Sequence, residues 1–169
     1  MSKKIGLFYG TQTGKTEFVA EIIRDEFGDN VTLHDISQAE AADFDDYQYL
    51  IIGCPTWNIG ELQSDWEGFF PELDEMDFIG KVVAYFGTGD QLGYGDNFQD
   101  AMGILEEKIS HRGGKTVGYW LNEGYDFNDS KALRNGKFVG LAIDEDNQSD
   151  LTEERIKAWV AQLKTEFGL

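Results

Sequence analysis

Six consecutive residues, Thr11-Gln12-Thr13-Gly14-Lys15-Thr16, carry the strongest chemical signal in the sequence. An apolar run from Ile5 to Tyr9 precedes them and an amphipathic run from Phe18 to Phe27 comes after. Strand, hydroxyl-rich turn and helix start, in that order, make an anion site. Backbone N–H groups at a helix N-terminus point outward and the helix dipole favours negative charge there. Three threonines add hydroxyl donors, and Gly14 lets the backbone turn closely around a guest. The chemistry this suits is the grip on one phosphate. Two better-known phosphate loops do not match. A Walker A loop has four residues between its glycines, whereas Gly10 and Gly14 enclose three, although Lys15-Thr16 comes next as it would there. The G-x-G-x-x-G fingerprint is absent. A solvated turn in which Thr13 or Thr16 merely caps a helix is the plainer alternative.

Two further stretches could hold the rest of such a ligand. Pro55-Thr56-Trp57-Asn58-Ile59-Gly60 and Gly87-Thr88-Gly89-Asp90-Gln91-Leu92-Gly93-Tyr94 each set one aromatic among glycines and small polar residues. Such residues leave backbone N–H and C=O groups free to meet a ligand. Trp57 and Tyr94 could clamp a flat ring between them, at ~0.5–1.5 kcal/mol per aromatic pair beyond area burial. The alternative for Trp57 is a core tryptophan.

The elements that must position these loops are legible as alternating strands and helices. Ile5–Tyr9, Tyr49–Gly53 and Val82–Phe86 are short apolar runs of the kind buried on both faces of a parallel sheet. Val31–Ile36 reads as a weaker edge strand, and Glu40–Asp46 as a solvated connection. Phe18, Val19, Ile22, Ile23 and Phe27 share one helix face, and Gly28 stops that helix. Leu62–Met76 has helical spacing but contains Pro71, so a helix ending before Pro71 is expected. Phe98, Ala101, Met102, Leu105 and Ile109 give a core-facing helix. The last helix carries Ile156, Trp159, Val160, Leu163 and Phe167 on one face, with Thr152 as N-cap. Strands are expected to begin at Val117–Trp120 and to run over Phe138–Ile143. The polar segment Leu121–Lys137 between them reads as an excursion that splits the last strand. Alternation of this kind implies a doubly wound α/β sheet, in which ligands bind beyond the carboxyl ends of the strands.

Composition bounds the partners. The 169 residues are expected to form one domain, residues 1–169. Hydrophobic content of 41% with 14% aromatic argues against disorder. The net charge of −18, from 32 acidic against 14 basic residues, repels nucleic acid and anionic membranes and attracts basic proteins. Acidity for solubility or a salty habitat alone is the competing explanation. Cys54 is the sole cysteine, which rules out an internal disulfide and fits a reducing compartment; it reads as an inert buried thiol. No apolar stretch approaches the ~18 residues of a membrane span, and the N-terminus has no signal-peptide core, so a cytoplasmic protein is expected. One cysteine and two histidines argue against zinc or iron–sulfur chemistry, and no metal site is assigned.

A monophosphate and a planar ring on one ligand leave a short list headed by FMN. On its threonine loop, its Pro55–Gly60 and Gly87–Tyr94 motifs and its split last strand, the sequence resembles the long-chain flavodoxins of cyanobacteria and algae from Lys4 to Leu169. The resemblance implies a three-layer, five-stranded parallel sheet of order 2-1-3-4-5. It implies that Thr11, Gln12, Thr13, Gly14, Lys15 and Thr16 surround the FMN phosphate, with the Lys15 amine turned outward. Trp57 and Tyr94 would stack on the two faces of the isoalloxazine, and Asn58, Ile59 and Gly60 would present backbone groups to flavin N5 and O4. Thr88, Gly89, Asp90, Asn97 and Gln99 would serve the pyrimidine edge, and Thr56 and Asp146 the ribityl chain.

The same resemblance implies a monomeric, low-potential one-electron carrier rather than an enzyme, working between the semiquinone and hydroquinone of FMN. A peptide at Asn58–Ile59 or Ile59–Gly60 could rotate to accept the proton gained at N5, worth about 0.5–1.5 kcal/mol net. Asp90, Asp96, Asp100, Asp144, Glu145 and Asp146 are candidate negative neighbours of the anionic reduced ring. One unit charge ~8 Å away costs on the order of 2 kcal/mol at an effective dielectric of 20. By resemblance the partners are photosystem I and ferredoxin–NADP⁺ reductase, with this chain replacing ferredoxin when iron is scarce, in the cytoplasm or the stroma of an algal chloroplast. Seven acidic residues and no basic one between Glu61 and Asp77 fit such basic partners. The principal alternative is an FMN-dependent NAD(P)H quinone reductase. A response-regulator receiver lacks its phosphoacceptor here, since Cys54 stands at that place.

Overall fold

The computed structural model of the chain describes residues 4–57 and 59–169. Ile5–Tyr9 is strand β1 and Lys15–Phe27 helix α1. Val31–Asp35 (β2), a 3-10 turn over Ala41–Asp46 and the long strand Tyr49–Trp57 (β3) come next. Glu61–Leu62 (β4) folds back antiparallel on β3 before helix Ser64–Leu73 (α2). Val82–Thr88 (β5) leads to helix Asp100–His111 (α3) and to Lys115–Thr116 (β6). Trp120–Leu121 (β7), Leu133–Arg134 (β8) and Lys137–Phe138 (β9) pair among themselves. Leu141–Ile143 (β10) returns to the main sheet, and Thr152–Glu166 is helix α4.

The main sheet runs β2-β1-β3-β5-β10 with every neighbour parallel. Numbered among themselves, these strands have the expected order 2-1-3-4-5. Side chains alternate between its two faces as strand geometry requires. Phe8, Leu50, Ile52, Val83, Tyr85 and Ala142 enter one core with Trp66 and Phe69 of α2 and Met102, Leu105 and Ile109 of α3. Ile5, Leu7, Ile51, Ala84, Phe86, Leu141 and Ile143 enter the other with Val19 and Ile23 of α1 and Trp159 and Leu163 of α4. Two cores on one sheet are the three layers.

Several expectations about local structure need correction. Phe18 is 48% exposed, and Ala20 takes its place on the buried face of α1. Helix α2 runs through Pro71. Proline there forfeits only the bond to the Glu67 carbonyl; both residues face solvent and the helix ends two residues later. Glu40–Asp46 is no mere solvated connection, because its 3-10 turn sends Phe44 into the core at 3.8 Å from the Phe8 ring centroid. Thr152 is the first residue of α4 rather than its cap, and its hydroxyl donates to the Glu145 carboxylate.

The last strand is split; its first half lies just before the expected start at Val117, and its second is shorter than the expected Phe138–Ile143. β6 pairs Lys115 and Thr116 with Val82 and Val83, and β10 pairs Leu141–Ile143 with Phe86–Thr88, along one edge of β5. Trp120 and Phe138 belong instead to the small antiparallel sheet of the excursion. The chain leaves the sheet at Gly118 (φ +81°) and rejoins it at Gly140. A Cβ at Gly140 would meet the Tyr85 carbonyl oxygen at 2.0 Å and its carbon at 2.6 Å, backbone atoms that cannot swing aside. Gly140→Ala should therefore lower stability by about 1–3 kcal/mol. Gly68→Ala, in α2 with nothing within 4 Å of the new Cβ, should raise it by about 0.5–1 kcal/mol. Urea unfolding midpoints of the two variants, moving in opposite directions, check both.

Candidate functional site

At the carboxyl edge of the sheet the turn after β1 passes directly into α1. Gly14 stands at φ +87°, and its N–H donates to Thr11 Oγ1 at 3.0 Å. The first helical bond, from the Phe18 N–H to the Gly14 carbonyl at 2.9 Å, leaves the amides of Lys15, Thr16 and Glu17 as the open first turn of α1. Thr13 is exposed at the mouth, whereas Thr16 is 1% exposed with its hydroxyl 2.9 Å from that of Thr88. Thr16 thereby ties the threonine turn to the end of β5. Gln12 accepts a bond from the Ser64 hydroxyl at 3.2 Å. Gln63, which no local sequence pattern marks, is 1% exposed and buttresses the loop. It caps α2 by accepting the Trp66 N–H and donates from Nε2 to the Thr11 carbonyl at 3.3 Å.

Thr13 and Lys15 border a cleft of about 300 Å³ with Pro55, Thr56, Trp57, Thr88, Gly89, Asp90, Tyr94, Glu145 and Asp146. Loops after β1, β3, β5 and β10 thus meet at one opening. Trp57 and Tyr94, from different loops, both border it, and Tyr94 is 49% exposed. The Trp57 Nε1 is buried without a hydrogen-bond partner among the described residues. The Lys15 amine pairs with the Asp146 carboxylate, both side chains being about half exposed. Among the described residues it is the single basic member of the lining, facing Asp90, Glu145 and Asp146.

The turn after β3 is a tight hairpin. Thr56 pairs with Leu62 and Trp57 with Glu61, and Gly60 stands at φ +85° just before the returning strand. Ile59 stands 75% exposed at its tip. Asn58 lies outside the described residues. The loop after β5 is held by its own carboxylate. Asp90 Oδ1 accepts the N–H groups of Gly93 at 2.7 Å and Leu92 at 3.1 Å, and Asn147 Nδ2 at 2.7 Å. The Gly93 bond is the main reason that the Asp90 carboxyl stands below its ordinary range, with Asn147, Leu92 and Lys15 adding to it against partial desolvation. Beneath it, fully buried Asp144 accepts from Gln91 N and Nε2, from Asn147 N and Nδ2, and from Asp146 N. Asn147 is a second positioning residue that sequence reasoning misses.

Two expected side chains are engaged away from the cleft. Asn97 Nδ2 donates to Asp100 at 3.0 Å. Gln99, in the left-handed region at φ +63°, is fully buried with Nε2 on the Ile143 carbonyl at 3.0 Å. Cys54 is the inert thiol expected, since burial pushes its pKa up to about 12. Among the described residues no group of three or more His, Cys, Asp or Glu could hold a metal ion, and no helix is long and apolar enough to cross a membrane.

Comparison with known proteins gives the same outline. The chain matches the family described as Flavodoxin over residues 7–159. It is 84% identical to the flavodoxin of Nostoc sp. (strain PCC 7120 / SAG 25.82 / UTEX 2576), covering 100% of both chains. It is 70% identical to the flavodoxin of Synechococcus elongatus (strain ATCC 33912 / PCC 7942 / FACHB-805), over 98% of this chain and 99% of the relative. Its fold is similar to the crystal structure of Fusobacterium nucleatum flavodoxin bound to flavin mononucleotide, at TM-score 0.93 and 34% identity over 98% of this chain and 99% of that one. Sequence and fold agree over nearly the whole length, and the chain belongs to the flavodoxin family.

Proposed function

We propose that this flavodoxin holds FMN in the cleft between the α1 N-terminus and Trp57 and Tyr94, and carries single low-potential electrons on it. Its donor in this reading is photosystem I and its acceptor ferredoxin–NADP⁺ reductase, with the chain standing in for ferredoxin. One observation carries the cofactor reading: a hydroxyl-lined helix start and two aromatic side chains from separate loops border a single opening. The residues present fit that group. The first turn of α1 with Thr11 and Thr13 suits a phosphate without a cation, and the 13-residue helix adds its dipole. Trp57 and half-exposed Tyr94 border the space where a ring would lie.

When bound, FMN supplies two one-electron steps, the first taken with a proton at N5 and the second leaving the ring anionic. This chain's residues set the terms of both. Trp57 and Tyr94 exclude water from the ring faces. The turn after Trp57 would offer the Ile59–Gly60 peptide at the edge, with Gly60 in a positive-φ conformation that glycine tolerates. Asp90, Glu145 and Asp146 border the cleft with only Lys15, among the described residues, opposing them, so added negative charge there is disfavoured. Those features favour a strongly negative second potential.

Partner choice is a matter of the rim. Ile59 (75% exposed), Leu92 (64%) and Tyr94 are exposed apolar side chains on the two loops that carry Trp57 and Tyr94. Glu61, Glu67, Glu72, Glu75 and Asp77 are exposed close by in sequence, on and around α2. An acidic field around an apolar contact is suited to steering a basic redox partner.

Purified protein should be yellow and retain FMN; colourless protein that takes up no added FMN overturns the reading. Trp57→Ala should weaken FMN binding by roughly 5- to 150-fold, the equivalent of ~1–3 kcal/mol of ring stacking, measured by quenching of FMN fluorescence. Because the folded Asp90 carboxyl lies below its unfolded value, its contribution to the 90–94 turn is present above about pH 4. That contribution is lost as pH falls through the lower, folded value. FMN release on acidification should begin in that window, and Asp90→Ala should release FMN at neutral pH with a flatter acid response. Electron transfer from photosystem I should slow between low and ~0.15 M salt, as monitored by flash photolysis; salt-independent rates would remove the steering component.

A further inference from the structure

We propose that Asp100 is a positioning residue for the Ile59–Gly60 peptide after β3, acting on the cofactor through Gly60 from within the core. The inference rests on the reading that FMN occupies the cleft. Asp100 opens α3 and is 1% exposed, so its carboxyl group is taken out of water at the start of the helix. Its Oδ1 accepts the Lys131 N–H at 2.7 Å, and its Oδ2 accepts Asn97 Nδ2 at 3.0 Å. The same Oδ2 lies against Gly60: a Cβ at that position would stand 2.5 Å from it and 3.1 Å from Asn97 Nδ2. One carboxylate therefore touches three segments that are far apart in sequence: the hairpin after β3, the loop after β5 and the excursion. The start of the hairpin is moored to the same helix turn, since the Ala101 N–H donates to Thr56 Oγ1 at 3.0 Å.

Asp100 does not border the cleft, so it can reach the cofactor in two separable ways. Its charge acts through space and opposes the second electron, which leaves the ring anionic. Its shape acts by contact and determines where the Ile59–Gly60 peptide stands when the first electron and its proton arrive. Gly60 is constrained from two sides, by a positive φ that disfavours any side chain and by the carboxylate that fills the room a side chain would need. The carboxylate in turn is held by a backbone N–H of the excursion. Displacement on either side of Asp100 is passed to the other.

Redox titration of the FMN-loaded protein separates the two effects. Asp100→Asn removes the charge but keeps the shape: its oxygen still accepts the Lys131 N–H, and its amide pairs with Asn97 once the Asn97 amide is reversed. Asp100→Ala removes both. The second potential should rise in both variants. The first should match the unmodified protein in Asp100→Asn and become more negative in Asp100→Ala. First potentials equal in all three proteins leave charge alone and overturn the proposal, as does an equal shift in both variants. Gly60→Ala, which leaves residue 100 an aspartate, gives a second reading that does not depend on the folding of Asp100→Ala. The added Cβ should push the carboxylate and speed hydrogen exchange at the Lys131 amide several-fold; unchanged exchange there overturns the link. Failure of the unmodified protein to bind FMN is observed first and sinks the cofactor reading instead.

Discussion

In-register parallel pairing at Gly53 is the constraint on which the site depends. Gly53 of β3 lies beside Tyr9 of β1 on one side and Phe86 of β5 on the other. A Cβ there would stand 2.1 Å from the Phe86 ring, so glycine is what lets the strands keep this spacing. Its carbonyl accepts both the Gly10 N–H at 3.1 Å and the Trp66 Nε1 at 2.8 Å. That single oxygen fixes where β1 ends, and hence where the threonine turn begins, relative to α2. Parallel strands cannot be joined by tight hairpins, so each connection crosses over a face of the sheet through a helix or longer segment. The loops at the carboxyl edge are consequently left side by side, and four of them supply the cleft.

The electrostatics of the edge divide along the same line. At the α1 end, donors are backbone amides and hydroxyls, and the helix dipole supplies the positive potential. At the other end the lining is carboxylate-rich, yet the carboxylates that hold the loops are saturated with donors. Asp144 takes five hydrogen bonds and Asp90 three. Burying such charges would be prohibitive without those donors. The same bonds that make the charges tolerable also hold the 90–94 turn, so rigidity and negative potential come from one set of contacts. The excursion joins this arrangement through backbone groups, with Asn128 and Asp129 donating to the Gly95 carbonyl at 2.8 and 3.0 Å and Asp126 donating to Gln91 Oε1 at 2.6 Å.

Much of the fold is legible because burial on both faces of a parallel sheet leaves an unmistakable run of apolar residues. Ile5–Tyr9, Tyr49–Gly53 and Val82–Phe86 read as strands for that reason, and the threonine turn stands out by its position between a strand and a helix. The misreadings have equally definite causes. Phe18 has the right spacing for the buried face of α1, but the helix is rotated so that Ala20 is buried instead. Pro71 breaks a helix only where the lost bond matters, and near a solvent-facing end it does not. Trp120 and Phe138 have strand-like neighbours, but nothing local distinguishes a strand of the main sheet from one of a small separate sheet.

Local pattern, by itself, determined the class of fold, the threonine turn between β1 and α1, the two aromatic loop residues and the acidity. Each of these depends on residue type and spacing within a few positions, and short-range sterics and burial act on that scale. Tertiary structure alone decided which side chains meet across the chain: Gln63 under Thr11, Thr16 with Thr88, Lys15 with Asp146, Asn147 with Asp90, and Asp100 among Gly60, Asn97 and Lys131. Those pairings are set by the rotation of helices and the register of parallel strands. Such quantities arise from packing summed over the two cores, and no single stretch of sequence encodes them.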